Sequence, residues 1–204
     1  MTTISAFDYP TQKHVRRHGP VGYSDYGPFR DWLRDEFSFR CVFCLQREQW
    51  CRLQASFHID HFIPQAINPN LACEYDNLLY VCAACNSIKS DLDVPNPCEF
   101  AFGDCVVVLS DGTIESRNET GELLIDQLRL DDDPLTKYRR LLLETWRALL
   151  SSGNLLTYAE WMRYPEDLPD LGRQKKKPPS NRRPEGISQS AFERRKRGEL
   201  PETY

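Results

Sequence analysis

The sequence predicts a mixed α+β fold in which short strands and amphipathic helices surround a metal site. Three observations predict it. Two Cys-x2-Cys pairs are separated by 37 residues, a run with strand-like alternation lies between them, and stripes of leucine and tryptophan at helical spacing follow. With 40% hydrophobic and 27% charged residues, the composition is that of a globular protein, which argues against global disorder and a fibrous repeat.

The elements can be assigned in chain order. Proline precedes helical spacing of apolar residues at 28–37, and an Asp-Gly turn between apolar runs predicts a β-hairpin over 105–115. Leucine-rich stretches, with Thr120 as a candidate cap, predict helices over 120–128, 133–149 and 155–164. The domains expected from these elements are an extended arm at 1–27, a metal-binding module at 28–100, a hairpin with a helical subdomain at 101–171, and a disordered basic tail at 172–204.

Charge is distributed unevenly along the chain. The net charge of −4 combines residues 1–171, with 16 basic and 26 acidic groups, and residues 172–204, with 10 basic and 4 acidic groups. A basic tail on an acidic body suits a polyanionic partner, and a merely solubilising tail is the alternative. The tail residues expected to contact nucleic-acid phosphates are Lys175, Lys176, Lys177, Arg182, Arg183, Arg194, Arg195, Lys196 and Arg197.

The cellular compartment determines how the cysteines are interpreted. No run approaches the roughly 20 apolar residues of a membrane span, and the N-terminus lacks the apolar core of a secretory signal, so we expect a cytoplasmic protein. Clustered cysteines in a reducing compartment indicate metal ligands rather than disulfides. Two such pairs complete a closed tetrahedral site, which predicts structural zinc on Cys41, Cys44, Cys82 and Cys85. The other four cysteines are expected to be small buried residues, although one of them could substitute as a ligand.

The segment between the cysteine pairs carries polar groups suited to phosphodiester hydrolysis. His58 and Asp60 alternate on a short predicted strand next to His61, and Asn86 directly follows the last cysteine. Carboxylate and amide oxygens are hard ligands for Mg²⁺ or Mn²⁺, and a neutral histidine beside the ion can take a proton from water. Asn86 and Lys89, three residues apart on a predicted helix, can face the same point.

These motifs resemble those of the HNH endonucleases. The order is Cys-x2-Cys, His-Ile-Asp-His-Phe-Ile-Pro, Asp-Asn-Leu-Leu and Cys-x2-Cys-Asn-x2-Lys, over residues 41–91. The resemblance implies a zinc-supported ββα-metal fold, with His61 as the base that activates water, Asp60 and Asn86 as ligands of a catalytic Mg²⁺ or Mn²⁺, and Asn77 as a brace for the loop and the histidine. Asn86 stands where many members have histidine. His58 is expected either to assist metal or phosphate binding or to be structural, and Lys89 either to contact phosphate or to be a solvated surface residue.

A second, looser resemblance concerns the flanks. The same site motifs, followed by Asp111-Gly112-Thr113-Ile114, Thr120-Gly121 and leucine-rich helices, resemble the HNH proteins of Septu-type and retron-linked antiphage systems. It implies a role in phage defence beside an ATPase or another protein of an effector complex, with double-stranded DNA as the substrate.

Three functional hypotheses remain open at this point. The favoured one is a metal-dependent DNA endonuclease that leaves 5′-phosphate and 3′-hydroxyl ends, as the family resemblance implies. A non-catalytic zinc-finger module that binds nucleic acid or protein would explain the cysteines and the tail, but it gives no reason for the grouping of Asp60, His61 and Asn86. The third hypothesis is a nuclease subunit that works only within a larger complex. Its active site would be the same as under the first hypothesis.

Overall fold

The computed structural model describes residues 6–51, 56–174 and 181–204, which belong to two compact units. The cysteine unit comprises Val15–Asp93 and Tyr164–Pro201, and the helical unit comprises Met1–His14, Val94–Arg163 and Glu202–Tyr204, each within the described residues. Each unit therefore combines segments that are distant in sequence.

The chain is mixed α+β, as the sequence predicts. The strands are β1 (Phe57–His61), β2 (Leu78–Cys82), β3 (Val106–Val108) and β4 (Ile114–Ser116). The α-helices are α1 (Arg30–Glu36), α2 (Ala83–Lys89), α3 (Phe102–Cys105), α4 (Glu119–Leu128), α5 (Asp133–Ser151), α6 (Leu155–Met162) and α7 (Ala191–Lys196). Short 3₁₀ helices lie at Gly27–Phe29, Glu48–Trp50, Pro69–Leu71, Tyr75–Asn77, Leu171–Arg173 and Pro184–Gln189.

The cysteine unit is organised around an antiparallel pair of strands. β1 pairs with β2 so that Phe57 lies opposite Cys82 and His61 opposite Leu78. All five residues of β2 are buried, because it carries four apolar residues followed by a cysteine and packs against α1. The ring of Phe57 stacks on that of Tyr80 with centroids 5.1 Å apart. This packing fixes the register of the strand that carries Asp60 and His61.

The second cysteine pair joins strand to helix. Cys82 is the last residue of β2 and also caps α2, with its sulfur accepting the backbone N–H of Cys85 at 3.5 Å. The helix therefore begins at Ala83, so that Asn86 and Lys89 both lie within it. Contacts of α2 with both strands complete a β1–β2–α2 arrangement.

Residues 181–204 depart from the expected disorder of the C-terminal tail. Ser190 and Ala191 are buried, and the hydroxyl of Ser190 caps α7. The carboxylate of Asp35 on α1 accepts the backbone N–H of Ala191 at 2.7 Å and lies 2.7 Å from the ring of the buried His18. A buried carboxylate requires partners, and two segments that look polar in sequence provide them here.

The helical unit follows the elements expected from sequence. Gly112, at φ +88°, allows the Asp-Gly turn between β3 and β4. Asp132 caps α5 by accepting the N–H of Leu135 at 2.9 Å. Helix α4 begins at Glu119, and its cap is Asn118, two residues before the expected cap Thr120. Leu124 and Leu128 of α4 and Trp146 of α5 are buried, as expected for core residues, whereas Leu123, Leu141 and Leu155 of the same stripes are exposed.

Within the described parts of the chain, no helix combines the length and the apolar character needed to cross a membrane.

Candidate functional site

Four buried cysteines form a compact sulfur cluster. The sulfur atoms of Cys41, Cys44, Cys82 and Cys85 all lie within 4.8 Å of one another, and those of Cys44 and Cys82 are 3.6 Å apart. A tetrahedral ion with Zn–S bonds of about 2.3 Å would separate its ligands by about 3.8 Å. The cluster therefore matches the ligand set and the spacing of a four-cysteine zinc site.

The electrostatics of the cluster also favour a bound cation. Hydrogen bonds from Cys41, Cys44 and Cys85 hold the pKa of the Cys82 thiol far below its usual value. The same shared hydrogen bonds, together with burial, raise the pKa values of Cys44 and Cys85. A divalent cation would replace these shared protons and neutralise the buried sulfurs.

A polar cleft lies where β1 faces the end of α2. Its volume is about 310 Å³, and its lining includes Asp60 and His61 from β1 and Asn86 from α2. The remaining lining residues are Ile59, Pro64, Gln65, Ala66, Ser90 and Asp91. The structure thus brings together a carboxylate, an imidazole and an amide that are separated by up to 26 positions in sequence.

Asp60 is a buried carboxylate at the wall of this cleft, with 7% of its surface exposed. Burial raises the pKa of Asp60, and the nearby ammonium of Lys89 partly offsets that effect. One carboxylate oxygen, Oδ2, is buried and lies 3.1 Å from the Lys89 ammonium, without an aligned hydrogen bond from the described residues. Carboxylate oxygens in a cleft that also contains the amide of Asn86 have the character of Mg²⁺ or Mn²⁺ ligands.

The imidazole of His61 is held by a backbone carbonyl. Nε2 of His61 lies 3.0 Å from the oxygen of Ala72. A carbonyl can only accept a hydrogen bond, so the neutral ring carries its proton on Nε2 and has a lone pair on Nδ1. The amide nitrogen of Gln65 is 3.2 Å from both ring nitrogens, and with Nε2 protonated only Nδ1 can accept its hydrogen bond. The ring is therefore oriented as a proton acceptor at the edge of the cleft.

Asn77 joins the two ends of the loop that separates β1 from β2. Its side-chain oxygen accepts the N–H of Ile63 at 2.8 Å, and its amide nitrogen donates to the carbonyls of Ile63 and Leu71 at 3.0 and 3.3 Å. Leu71 immediately precedes the Ala72 carbonyl that holds His61. Asn77 thus supports the loop and contributes no lining to the cleft.

Residues 41–92 match the family model described as HNH endonuclease. No curated protein matches the chain. The match supports a nuclease-type function and implies a nucleic-acid substrate, and together with the sulfur cluster it supports metal binding. The matched residues, called the HNH segment below, contain both cysteine pairs and every cleft residue named above.

Other residues singled out from sequence lie outside the cleft or are engaged elsewhere. His58 is exposed on β1 and does not line the cleft. Lys89 is completely buried, which contradicts the expectation of either a solvated surface lysine or a phosphate contact. Its ammonium is 3.1 Å from Asp60 inside the HNH segment, because a buried lysine requires a counter-charge.

The basic C-terminal residues make contacts within the chain. Arg183 forms a two-pronged ion pair with Asp76 at 2.9 and 3.0 Å, and Arg182 pairs with Glu74 at 3.2 Å. The four cations on and just after α7, Arg194, Arg195, Lys196 and Arg197, contact nearby carbonyls or carboxylates. Lys175, Lys176 and Lys177 lie outside the described residues.

Two site residues were missed by sequence reasoning. The ring of Tyr26 lies edge-on against His61, with centroids 4.9 Å apart and planes at 89°. Tyr26 belongs to the segment expected to be an extended arm, and nothing in the local sequence indicates this contact. Gln65 touches His61 from the loop after β1. In the sequence, only the position of Gln65 four residues after His61 indicated this contact.

Proposed function

We propose that this protein is a metal-dependent HNH endonuclease that hydrolyses phosphodiester bonds of DNA. The observation that carries the proposal is the convergence of Asp60, His61 and Asn86 on one cleft next to a four-cysteine cluster. A non-catalytic zinc module would need the cysteines but would have no use for this convergence.

His61 would act as the general base. With Nε2 donating to the carbonyl of Ala72, the free lone pair of Nδ1 can accept a proton from a water molecule in the cleft. The Gln65 amide now contacts Nδ1, so the attacking water would take over this contact or be oriented by it. Loss of the water proton to His61 coincides with attack on phosphorus.

Asp60 and Asn86 would hold one Mg²⁺ or Mn²⁺. Their oxygens are hard ligands in the same cleft, and Oδ2 of Asp60 is free of aligned hydrogen bonds from the described residues. When bound, the ion would neutralise charge on the phosphate and on the departing 3′ oxygen. Asn77 would keep the loop and the Ala72 carbonyl in place, and so the orientation of His61.

Binding of the polyanion would rely on exposed cations. Arg195, Lys196 and Arg197 are exposed at the end of α7, and phosphate oxygens can replace their present contacts with exposed carbonyls and carboxylates. Such contacts carry no sequence information, so double-stranded DNA would be held without base readout. A partner protein, such as the ATPase implied by the antiphage resemblance, would then direct the nuclease to its target.

The test is cleavage of supercoiled plasmid by the purified full-length protein with Mg²⁺ or Mn²⁺. We expect nicked or linear product from the wild type and a loss of about 10²–10⁴-fold in rate for His61→Ala, the range of a general base. His58→Ala is the matched control, since it removes an exposed histidine from the same strand and should retain activity. Zinc content should be equal in all three proteins.

Two outcomes would contradict the proposal. If the His61→Ala variant and the wild type cleave at equal rates, the observed nuclease activity does not come from this site. If the wild type remains inactive on DNA and RNA even in the presence of a co-purifying partner protein, the non-catalytic zinc module becomes the better explanation.

A further inference from the structure

Lys89 is one of the least accessible residues in the described part of the chain, with none of its surface exposed. An ammonium group in such a place must be paired and hydrogen-bonded, because removing it from water is otherwise prohibitive. Its nitrogen is 3.1 Å from Oδ2 and 3.4 Å from Oδ1 of Asp60, and it donates to the backbone carbonyl of His61 at 2.9 Å.

These contacts tie the two elements of the cleft together. Asp60 and His61 are consecutive on β1, and Lys89 is the last residue of α2. Asn86 lies three positions earlier on α2, so the same helix carries the second ligand oxygen. The ammonium therefore links the strand that carries the base to the helix that carries the amide.

The ammonium lies close to both carboxylate oxygens of Asp60, and it is nearer to Oδ2 than to Oδ1. Its third contact is the hydrogen bond to the carbonyl of His61. A carboxylate offers about four lone-pair sites, so Lys89 can neutralise Asp60 and still leave lone pairs for a cation.

We propose that Lys89 is the internal counter-cation of the ligand Asp60, positioning it in the metal-free protein and opposing the divalent cation electrostatically. The inference rests on the proposed function for the role of Asp60. A fixed positive charge beside the carboxylate stabilises the empty cleft, and the same charge repels an arriving Mn²⁺. Lys89 would therefore weaken metal binding while keeping the site assembled.

The experiment uses the full-length, zinc-loaded protein, freed of other divalent ions by metal-chelating resin. Lys89→Gln keeps hydrogen-bond donors but removes the charge, Lys89→Met removes both, and Lys137→Met is the control because Lys137 is exposed on α5. Mn²⁺ affinity is measured by electron paramagnetic resonance, and thermal unfolding is measured without Mn²⁺.

We expect Lys89→Gln to bind Mn²⁺ roughly tenfold more tightly than the wild type, since a like charge is removed from a partly buried site. Both Lys89 variants should unfold at a lower temperature without Mn²⁺, and adding Asp60→Asn to Lys89→Met should restore part of that loss, because the unpaired carboxylate is removed. Lys137→Met should change neither quantity.

Unchanged or weaker Mn²⁺ binding by Lys89→Gln would overturn the proposal. If neither Lys89 variant folds, the double variant Lys89→Met with Asp60→Asn is the deciding test. Failure of the added Asp60→Asn to restore folding would show that Lys89 is not the counter-charge of Asp60. Full Mn²⁺ binding by Asp60→Asn alone would instead contradict the ligand role in the proposed function.

Discussion

Tyr26 shows how one residue from outside the HNH segment can influence the candidate base. Its ring meets the His61 ring edge-on, and 37% of the surface of Tyr26 is exposed. Its backbone carbonyl accepts the N–H of Phe29, whose buried side chain anchors this part of the chain. His61 is thus restrained by a ring on one side and by the Ala72 carbonyl on another.

We expect Tyr26→Ala to lower the rate of plasmid cleavage about tenfold and Tyr26→Phe to change it little. An aromatic contact of this geometry contributes about 0.5–1.5 kcal/mol, and the ring rather than the hydroxyl makes it. Initial rates under saturating DNA would measure the effect. Equal rates for all three proteins would show that the Ala72 carbonyl alone orients His61.

Residue-level prediction succeeded where spacing along the chain dictates proximity. Asn86 directly follows Cys85 on α2, and Asp60 lies on the strand paired with β2, so residue order alone suggested a shared location. It failed for Lys89, because lysine is usually solvated and only the packed structure reveals its buried partner. Contacts such as those of Tyr26, which depend on the path of a loop, leave no local pattern.

The elements themselves were mostly predictable because their ends carry strong local signals. The Asp-Pro start of α5 and the Asp-Gly turn before β4 both lie where the sequence placed them. Helix α7 was missed, since its six residues include three cations and its stability comes from the Ser190 cap and the Asp35 carboxylate. Short helices of this kind are determined by tertiary contacts rather than by propensity.

Two glycines provide a matched test of the helical unit. Gly112 and Gly153 both have positive φ, at +88° and +74°. A β-carbon on Gly112 would lie 2.6 Å from the backbone nitrogen of Arg140, whereas one on Gly153 would meet nothing within 4 Å. The two sites therefore share backbone strain and differ in steric room.

We expect Gly112→Ala to lower the free energy of unfolding by about 2–5 kcal/mol and Gly153→Ala by only about 1–2 kcal/mol. Left-handed backbone strain accounts for the smaller loss, and the clash with α5 adds the remainder. Chemical denaturation followed by circular dichroism would measure both. Equal losses would mean that α5 moves away from the turn without penalty.

At the level of the whole molecule, the fold class and the ligand set were predictable, whereas the grouping of segments was not. The four cysteines cluster as their spacing indicates. Residues 164–174 and 181–201 nevertheless group with the cysteine unit, and residues 6–14 group with the helical unit. Buried polar partners such as Asp35 decide that grouping, and no local pattern reveals them.

Removal of the ion expected on the sulfur cluster should unfold the cysteine unit. Cys85→Ser should lose zinc and the thermal transition of this unit, because binding free energy at such a site is folding free energy. Cys73→Ser is the control, since Cys73 lies in the same unit outside the cluster. Zinc content measured by atomic emission and thermal denaturation would report both. A Cys85→Ser protein that unfolds like the wild type would mean that the unit is stable without the metal.

The contact between Asp35 and Ala191 also has a consequence for synthesis. The two residues are 156 positions apart. A ribosome translates α1 and the other partner of this carboxylate, His18, long before it reaches Ala191. The hydrogen bond from Ala191 therefore forms late in synthesis, and a chain that stops before residue 191 lacks it.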